Sequence, residues 1–117
     1  LVGTMGGDSQ PQIVLQLLTR LFVAGEDPGT ALASPRWRFA GSSSTGFNTW
    51  ADPKQVRLEI EGDHPELNTE LTKLGHTLSS LPANNSAFGH AHIISLQDGV
   101  LSGAAEPRVS ASGTAAY

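Results

Sequence analysis

The segment Gly3-Thr4-Met5-Gly6-Gly7-Asp8-Ser9-Gln10-Pro11 leads directly into the apolar-rich stretch Ile13 to Val23. This junction constrains the chain more than any other feature. Val14, Leu17, Leu18, Leu21 and Phe22 recur at i, i+3, i+4, i+7 and i+8, the stripe of an amphipathic helix. The first amides of a helix have no partner inside it, and the helix dipole gathers partial positive charge at that end. Gly6 and Gly7 carry no Cβ, so their backbone can take positive φ and a ligand can approach it closely. Such a turn suits a carboxylate, a phosphate or the oxyanion of an acyl-transfer intermediate. The same pattern also describes a plain helix entry loop with no ligand.

Pattern reading of the remaining chain gives an α+β fold without repeats. The first helix is expected from Ser9 or Pro11 to Ala24, stopped by Gly25 in a left-handed cap. Asp27-Pro28 reads as an N-cap with proline at the first helical position, opening a short helix that Pro35 ends. Arg36 to Ala40 looks extended, and Gly41 to Gly46 reads as a serine-rich flexible loop. Gln55 to Glu61 alternates, with Val56, Leu58 and Ile60 on one face and Arg57, Glu59 and Glu61 on the other, as in a half-buried strand. Pro65 to Leu74 is expected to be helical, capped by Asp63 or His64 and stopped by Gly75. Leu67, Leu71 and Leu74 form its inner stripe. Thr77 to Leu81 and Ala91 to Leu96 read as strands, and Asp98-Gly99 before Val100 to Ala104 is a strong hairpin signal.

The 117 residues are enough for a single domain or segment, one that buries roughly two thirds of its unfolded surface. Only 15% of residues are charged, against about 25% in an average soluble protein. Either another polypeptide covers part of the surface, or Ser, Thr and Asn supply the polar cover. The net charge of −4 and the scattered seven basic residues argue against nucleic-acid binding. The absence of cysteine excludes disulfides and thiolate chemistry and leaves the compartment open. No apolar run reaches the length of a membrane span, so neither a membrane nor a nucleic acid is an expected partner.

Other residues invite functional readings. His90 and His92 lie two apart on an expected strand and so share a face, but no third ligand stands at a diagnostic spacing and no metal site is assigned. His64 and His76 flank a helix and read as end residues. Asn84-Asn85-Ser86 fits both a glycosylation sequon and a simple turn. Trp37 and Trp50 read as packing residues or, if exposed, as interface residues. Arg108 is expected to pair with a carboxylate such as Glu106 or Asp8.

Three segments together resemble one known family. Gly3-Thr4-Met5-Gly6-Gly7 is similar to a Gly-[Ser/Thr]-Pro-Gly-Gly turn, with Met5 where that pattern has Pro. Ser34-Pro35-Arg36-Trp37 stands where the pattern has Ala-Pro-Arg after a short helix. Gly103-Ala104-Ala105-Glu106-Pro107-Arg108, followed by a terminal Tyr117, is similar to a closing Gly-Ala-[Ala/Ser]-Asp-Pro-Arg, with Glu for Asp. In this order they resemble the C-terminal part of the small subunit of a gamma-glutamyltranspeptidase, an N-terminal-nucleophile hydrolase.

The resemblance implies part of a four-layer αββα fold, with antiparallel strands and about three helices. It implies that Gly6 and Gly7 form an oxyanion hole for a γ-glutamyl acyl-enzyme made from glutathione-like amides, and that no cofactor takes part. The family's nucleophile is a threonine freed as a new N-terminus, whose amine can activate its hydroxyl. Leu1 has no hydroxyl and Thr4 is internal, so the nucleophile is expected elsewhere, upstream of the glycine turn. The expected partners are the large subunit, the N-terminal part of the small subunit and a γ-glutamyl small molecule, with self-association of the chain when isolated. Open alternatives are a related amide acylase and a non-catalytic folding or assembly module.

Overall fold

The computed structural model describes residues 1–41 and 53–115. The serine-rich loop beyond Gly41, Trp50 and Tyr117 lie outside the described residues. The chain forms two compact units: Leu1–Ser34 with the chain from Ser86 onward, and Pro35–Asn85.

The first unit holds a strand β1 (Val2–Met5), helices α1 (Gln10–Phe22) and α2 (Pro28–Ala33), and, late in the chain, strands β5 (His90–Gln97) and β6 (Val100–Ala105). Its opening differs from a long glycine turn, because Gly3 to Met5 are strand and the turn narrows to Gly6-Gly7. The strand arises through non-local pairing. Val2 aligns with Ile93 and Met5 with His90.

Helix α1 ends at Phe22, with Val23 as its C-cap, two residues short of the expected Ala24. Beyond it Gly25 takes φ +70°, the left-handed conformation that favours glycine, and the Glu26 amide turns back to donate to the Arg20 carbonyl at 3.0 Å. Its buried line is Ile13 and Leu17, with Leu21 packed partly against the same core. Phe22 was expected in the stripe but is 79% exposed. Lying nine residues past Ile13, about two and a half turns, it projects from the opposite side of the helix. At α2, the Asp27 carboxylate accepts the amides of Gly29 at 2.9 Å and Thr30 at 3.0 Å. The Thr30 hydroxyl and these amides hold the Asp27 carboxyl below its ordinary range.

The second unit contains β2 (Trp37–Ala40), β3 (Arg57–Glu61), α3 (Pro65–Lys73) and β4 (Leu78–Leu81). Its sheet runs β2-β3-β4. The β2–β3 pair is antiparallel, whereas β3–β4 is parallel, a pairing that needs a crossover and receives it from α3. The strand β3 is shorter than expected, since Gln55 closes a 3-10 turn and Val56 precedes the strand. It is also not half-buried: Leu58, Glu59, Ile60 and Glu61 are all buried. The glutamates tolerate this because each has donors. Arg38 Nε donates to Glu59 Oε2 at 2.7 Å, and Arg57 Nε to Oε1 at 3.0 Å. Glu61 accepts the amides of Arg36 at 3.0 Å and Asn85 at 3.2 Å. The expected inner stripe of α3 is only partly covered: Leu67 and the half-buried Leu71 line a cavity with Leu58 and Ile60 of β3, while Leu74 is exposed.

Returning to the first unit, β5 (His90–Gln97) and β6 (Val100–Ala105) complete an antiparallel sheet in the order β1-β5-β6. Asp98 at φ 51° and Gly99 at φ 81° make the two-residue turn between them, with positive φ at both central positions as in a type I′ hairpin. The core joins Ile13 and Leu17 of α1, Ala31 and Leu32 of α2, and Ala91 and Ile93 of β5. One sheet face therefore carries both helices, and β1 delivers the glycine turn to the start of α1.

Candidate functional site

The turn is built from three local features. Gly6 has φ −144° and ψ 11°, and Gly7 has φ +52°. A residue with negative φ followed by one with positive φ turns successive amides toward a common side. A 3-10 turn over Gly7–Ser9 then feeds α1. The Ser9 amide closes onto the Gly6 carbonyl at 3.0 Å, and the Gln10 amide onto the Gly7 carbonyl. No acceptor among the described residues takes the amide of Gly6 or Gly7. A Cβ on Gly7 would meet nothing within 4 Å, so that side of the turn is open. Asp8 stands exposed beside it.

The opposite side is tightly packed. A Cβ on Gly6 would lie 2.8 Å from Ile13 Cδ1. Gly89, at φ +83°, backs onto the same methyl, and a Cβ there would come within 2.7 Å of it and 2.8 Å of Thr4 Oγ1. Gly89 and Ile13 had no particular signal in the sequence as site residues. A glycine before a strand and an isoleucine in a helix are common, and only the fold brings them together.

The other candidates fall into structural roles. Arg108 pairs with Glu106 at 2.7 Å in a fully buried bridge, not with Asp8. Glu106 also accepts the Ala91 amide at 2.9 Å and the Arg108 amide at 3.2 Å. Arg108 donates to the Leu32 carbonyl at 2.7 Å and the Ser34 carbonyl at 3.0 Å. The pair thus ties the end of α2 to β5 and the segment after β6.

His90 and His92 do share one side of β5 and line a cavity of about 370 Å³ with Met5 and Ser112. The His92 ring nitrogen Nε2 lies 3.0 Å from Ser112 Oγ. No cluster of three or more His, Cys, Asp or Glu able to hold a metal occurs among the described residues. His64 occupies the N-cap position of α3, its Nε2 2.9 Å from the Glu61 carbonyl oxygen. His76 lies against Phe39, ring centroids 6.3 Å apart. Asn84, at φ 56°, forms a turn. Trp37 packs edge-on against Phe39, with centroids 5.6 Å apart.

Residues 1–116 match the family described as Gamma-glutamyltranspeptidase. Among curated relatives, the chain is 34% identical over 91% of its length to the "Oxamate amidohydrolase proenzyme" of Klebsiella pneumoniae. It is 30% identical over 92% of its length to the "Glutathione hydrolase-like YwrD proenzyme" of Bacillus subtilis. In each case it spans 19% of the relative. Among solved structures, the cephalosporin acylase of Bacillus halodurans superposes with a TM-score of 0.76 at 29% identity, over 99% of this chain and 19% of that one.

Proposed function

The chain belongs to the gamma-glutamyltranspeptidase family, and from that premise we propose that it is the C-terminal segment of an acyl-transferring amidase, carrying the oxyanion side of its active site. The observation that carries this reading is the Gly6-Gly7 turn, with two acceptor-free amides on an open face ahead of a helix N-terminus. In the reaction, the hydroxyl of an N-terminal threonine elsewhere in the polypeptide attacks the substrate's amide carbonyl. The threonine amine takes the hydroxyl proton, and the carbonyl oxygen gains negative charge. The amides of Gly6 and Gly7 donate hydrogen bonds to that oxygen as the charge develops. Collapse of the tetrahedral intermediate expels the amine, which leaves with the proton. Water or a second amine then releases the acyl group by the same steps in reverse.

The acyl group in this reading is γ-glutamyl and the donor a glutathione-like amide. The Bacillus subtilis relative, described as glutathione hydrolase-like, supports that choice. A second reading, a related amide acylase, is favoured by the oxamate amidohydrolase and cephalosporin acylase relatives. Both readings use the turn identically and differ in the pocket for the acyl chain. Asp8, exposed beside the turn, disfavours a resident multiply charged anion such as phosphate and is compatible with charge that exists only in passing.

Replacing Gly7 with Ala in the intact enzyme tests the assignment. The expected result is a fall of about 10² to 10³ in kcat with little change in KM, the effect of losing one well-aimed donor. Alanine resists the +52° φ of Gly7, so the melting temperature is measured in parallel. A folded Gly7→Ala enzyme with near-normal kcat removes the oxyanion role and leaves the turn as a helix entry.

A further inference from the structure

We propose that Ile13 is a positioning residue for the Gly6-Gly7 turn, its Cδ1 methyl acting as a fixed wedge between Gly6 and Gly89. The inference rests on the oxyanion reading above and adds what sets the direction of the donors. Ile13 is fully buried in the core of α1, α2 and β5, and β-branching holds its χ1 to one rotamer in a helix, leaving packing to set the direction of the terminal methyl. It belongs to one close-packed cluster with Leu17, Ala31, Leu32, Ala91 and Ile93, which leaves little free volume for its tip to move into. On that tip rest two glycines from distant parts of the chain. Cβ atoms placed on them would lie 2.8 Å away at Gly6 and 2.7 Å away at Gly89. The wedge thus transmits the rigid core to the turn: Gly6 is seated from below by a methyl that the helix holds in place. Gly89 likewise has no room for a side chain: a Cβ there would also lie 3.3 Å from the Met5 carbonyl oxygen, so its backbone lies close against the end of β1.

The two glycines respond differently to loss of that one methyl. Gly6 has an ordinary negative φ, and the next atoms its Cβ would meet are Gln10 backbone atoms at 3.4 and 3.5 Å, which are normal contacts. Removing Cδ1 therefore clears the space for an alanine at Gly6. At Gly89 the Thr4 Oγ1 contact at 2.8 Å and the φ of +83° both remain.

The test uses the intact enzyme, with kcat normalised to the folded fraction and KM measured alongside. Gly6→Ala should lower kcat by about 10²-fold or more, as displaced donors do, with KM nearly unchanged. Adding Ile13→Val, which deletes only Cδ1, should recover at least about tenfold of that loss. Gly89→Ala should be impaired and should not recover in the Ile13→Val background. A purely structural role for the methyl would change the amount of folded protein and leave kcat per folded enzyme alone. The inference is overturned if Gly6→Ala leaves kcat unchanged, if Ile13→Val gives no recovery, or if it rescues Gly6→Ala and Gly89→Ala equally. Failure of the oxyanion reading is seen separately, in a normal kcat for Gly7→Ala.

Discussion

Arg108 shows what the sequence can say about a single residue. A carboxylate partner was legible from composition, and Glu106 and Asp8 were both within reason. The fold decides between them by burial: Glu106 and Arg108 are enclosed together, while Asp8 faces outward. Two further roles were not legible, because the carbonyls of Leu32 and Ser34 lie more than seventy residues away in the chain. Removing Arg108 would strand a buried carboxylate and uncover two carbonyls, whereas breaking a buried pair by removing one partner typically costs about 3–5 kcal/mol. Arg108→Met should therefore lower the unfolding free energy of the intact enzyme by several kcal/mol in urea titration. A change under about 1 kcal/mol, the size typical of an exposed pair, would mean that the bridge is not enclosed in the assembled enzyme. The glycine turn presents the opposite case. Its residue types were plain in the sequence, but the wedge beneath it depends on Ile13 and Gly89 meeting across the fold.

At the scale of elements, local signals fared well. The Asp27-Pro28 cap, the left-handed Gly25 and the Asp98-Gly99 turn depend on residues adjacent in sequence, and each forms as its residues imply, although α1 itself ends at Phe22, earlier than Gly25 suggests. Signals set by distant partners did not show. Strand β1 contains Gly3, a poor strand former, and exists through its pairing with β5. The alternation of β3 suggested a solvated glutamate face, but Glu59 is matched by Arg38 directly across the β2–β3 register. Burial alone would raise the Glu59 carboxyl, and the hydrogen bonds from Arg38 and Arg57 overcome this and hold it below its ordinary value of 4.5. A folded-state value below the unfolded one means that the carboxylate contributes stability above the ordinary value. That contribution is lost as pH falls through the lowered folded value. Acid unfolding of the β2–β3–β4 unit should therefore steepen below about pH 4.5. Arg38→Ala should shift the transition to higher pH, followed by Trp37 fluorescence. An Arg38→Ala protein with an unchanged acid midpoint would refute this coupling.

For the molecule as a whole, the low charge content pointed to surface covered by other polypeptide or by uncharged polar residues, and the fold shows where apolar surface is left open. On β5, Ala91 and Ile93 face the helices, so by the two-residue period of a strand His92, Ile94 and Leu96 face the other way. Met5 and Leu101 join that face through their register with His90 and Leu96. Met5, Leu96 and Leu101 are each about 70% exposed. An apolar sheet face of this kind is what the rest of a larger enzyme would cover, and the chain spans only 19% of its curated relatives. Taken alone, the chain should bind a hydrophobic dye and self-associate in sedimentation. It should also release no anilide from a γ-glutamyl anilide, since the turn supplies donors but no attacking group. Coexpression with the remainder of the enzyme should abolish dye binding and self-association while restoring turnover. A compact monomer that binds no dye would show that the sheet face needs no cover. Turnover by the isolated chain above a boiled control would place the nucleophile within these 117 residues and undo the division of labour proposed for the site.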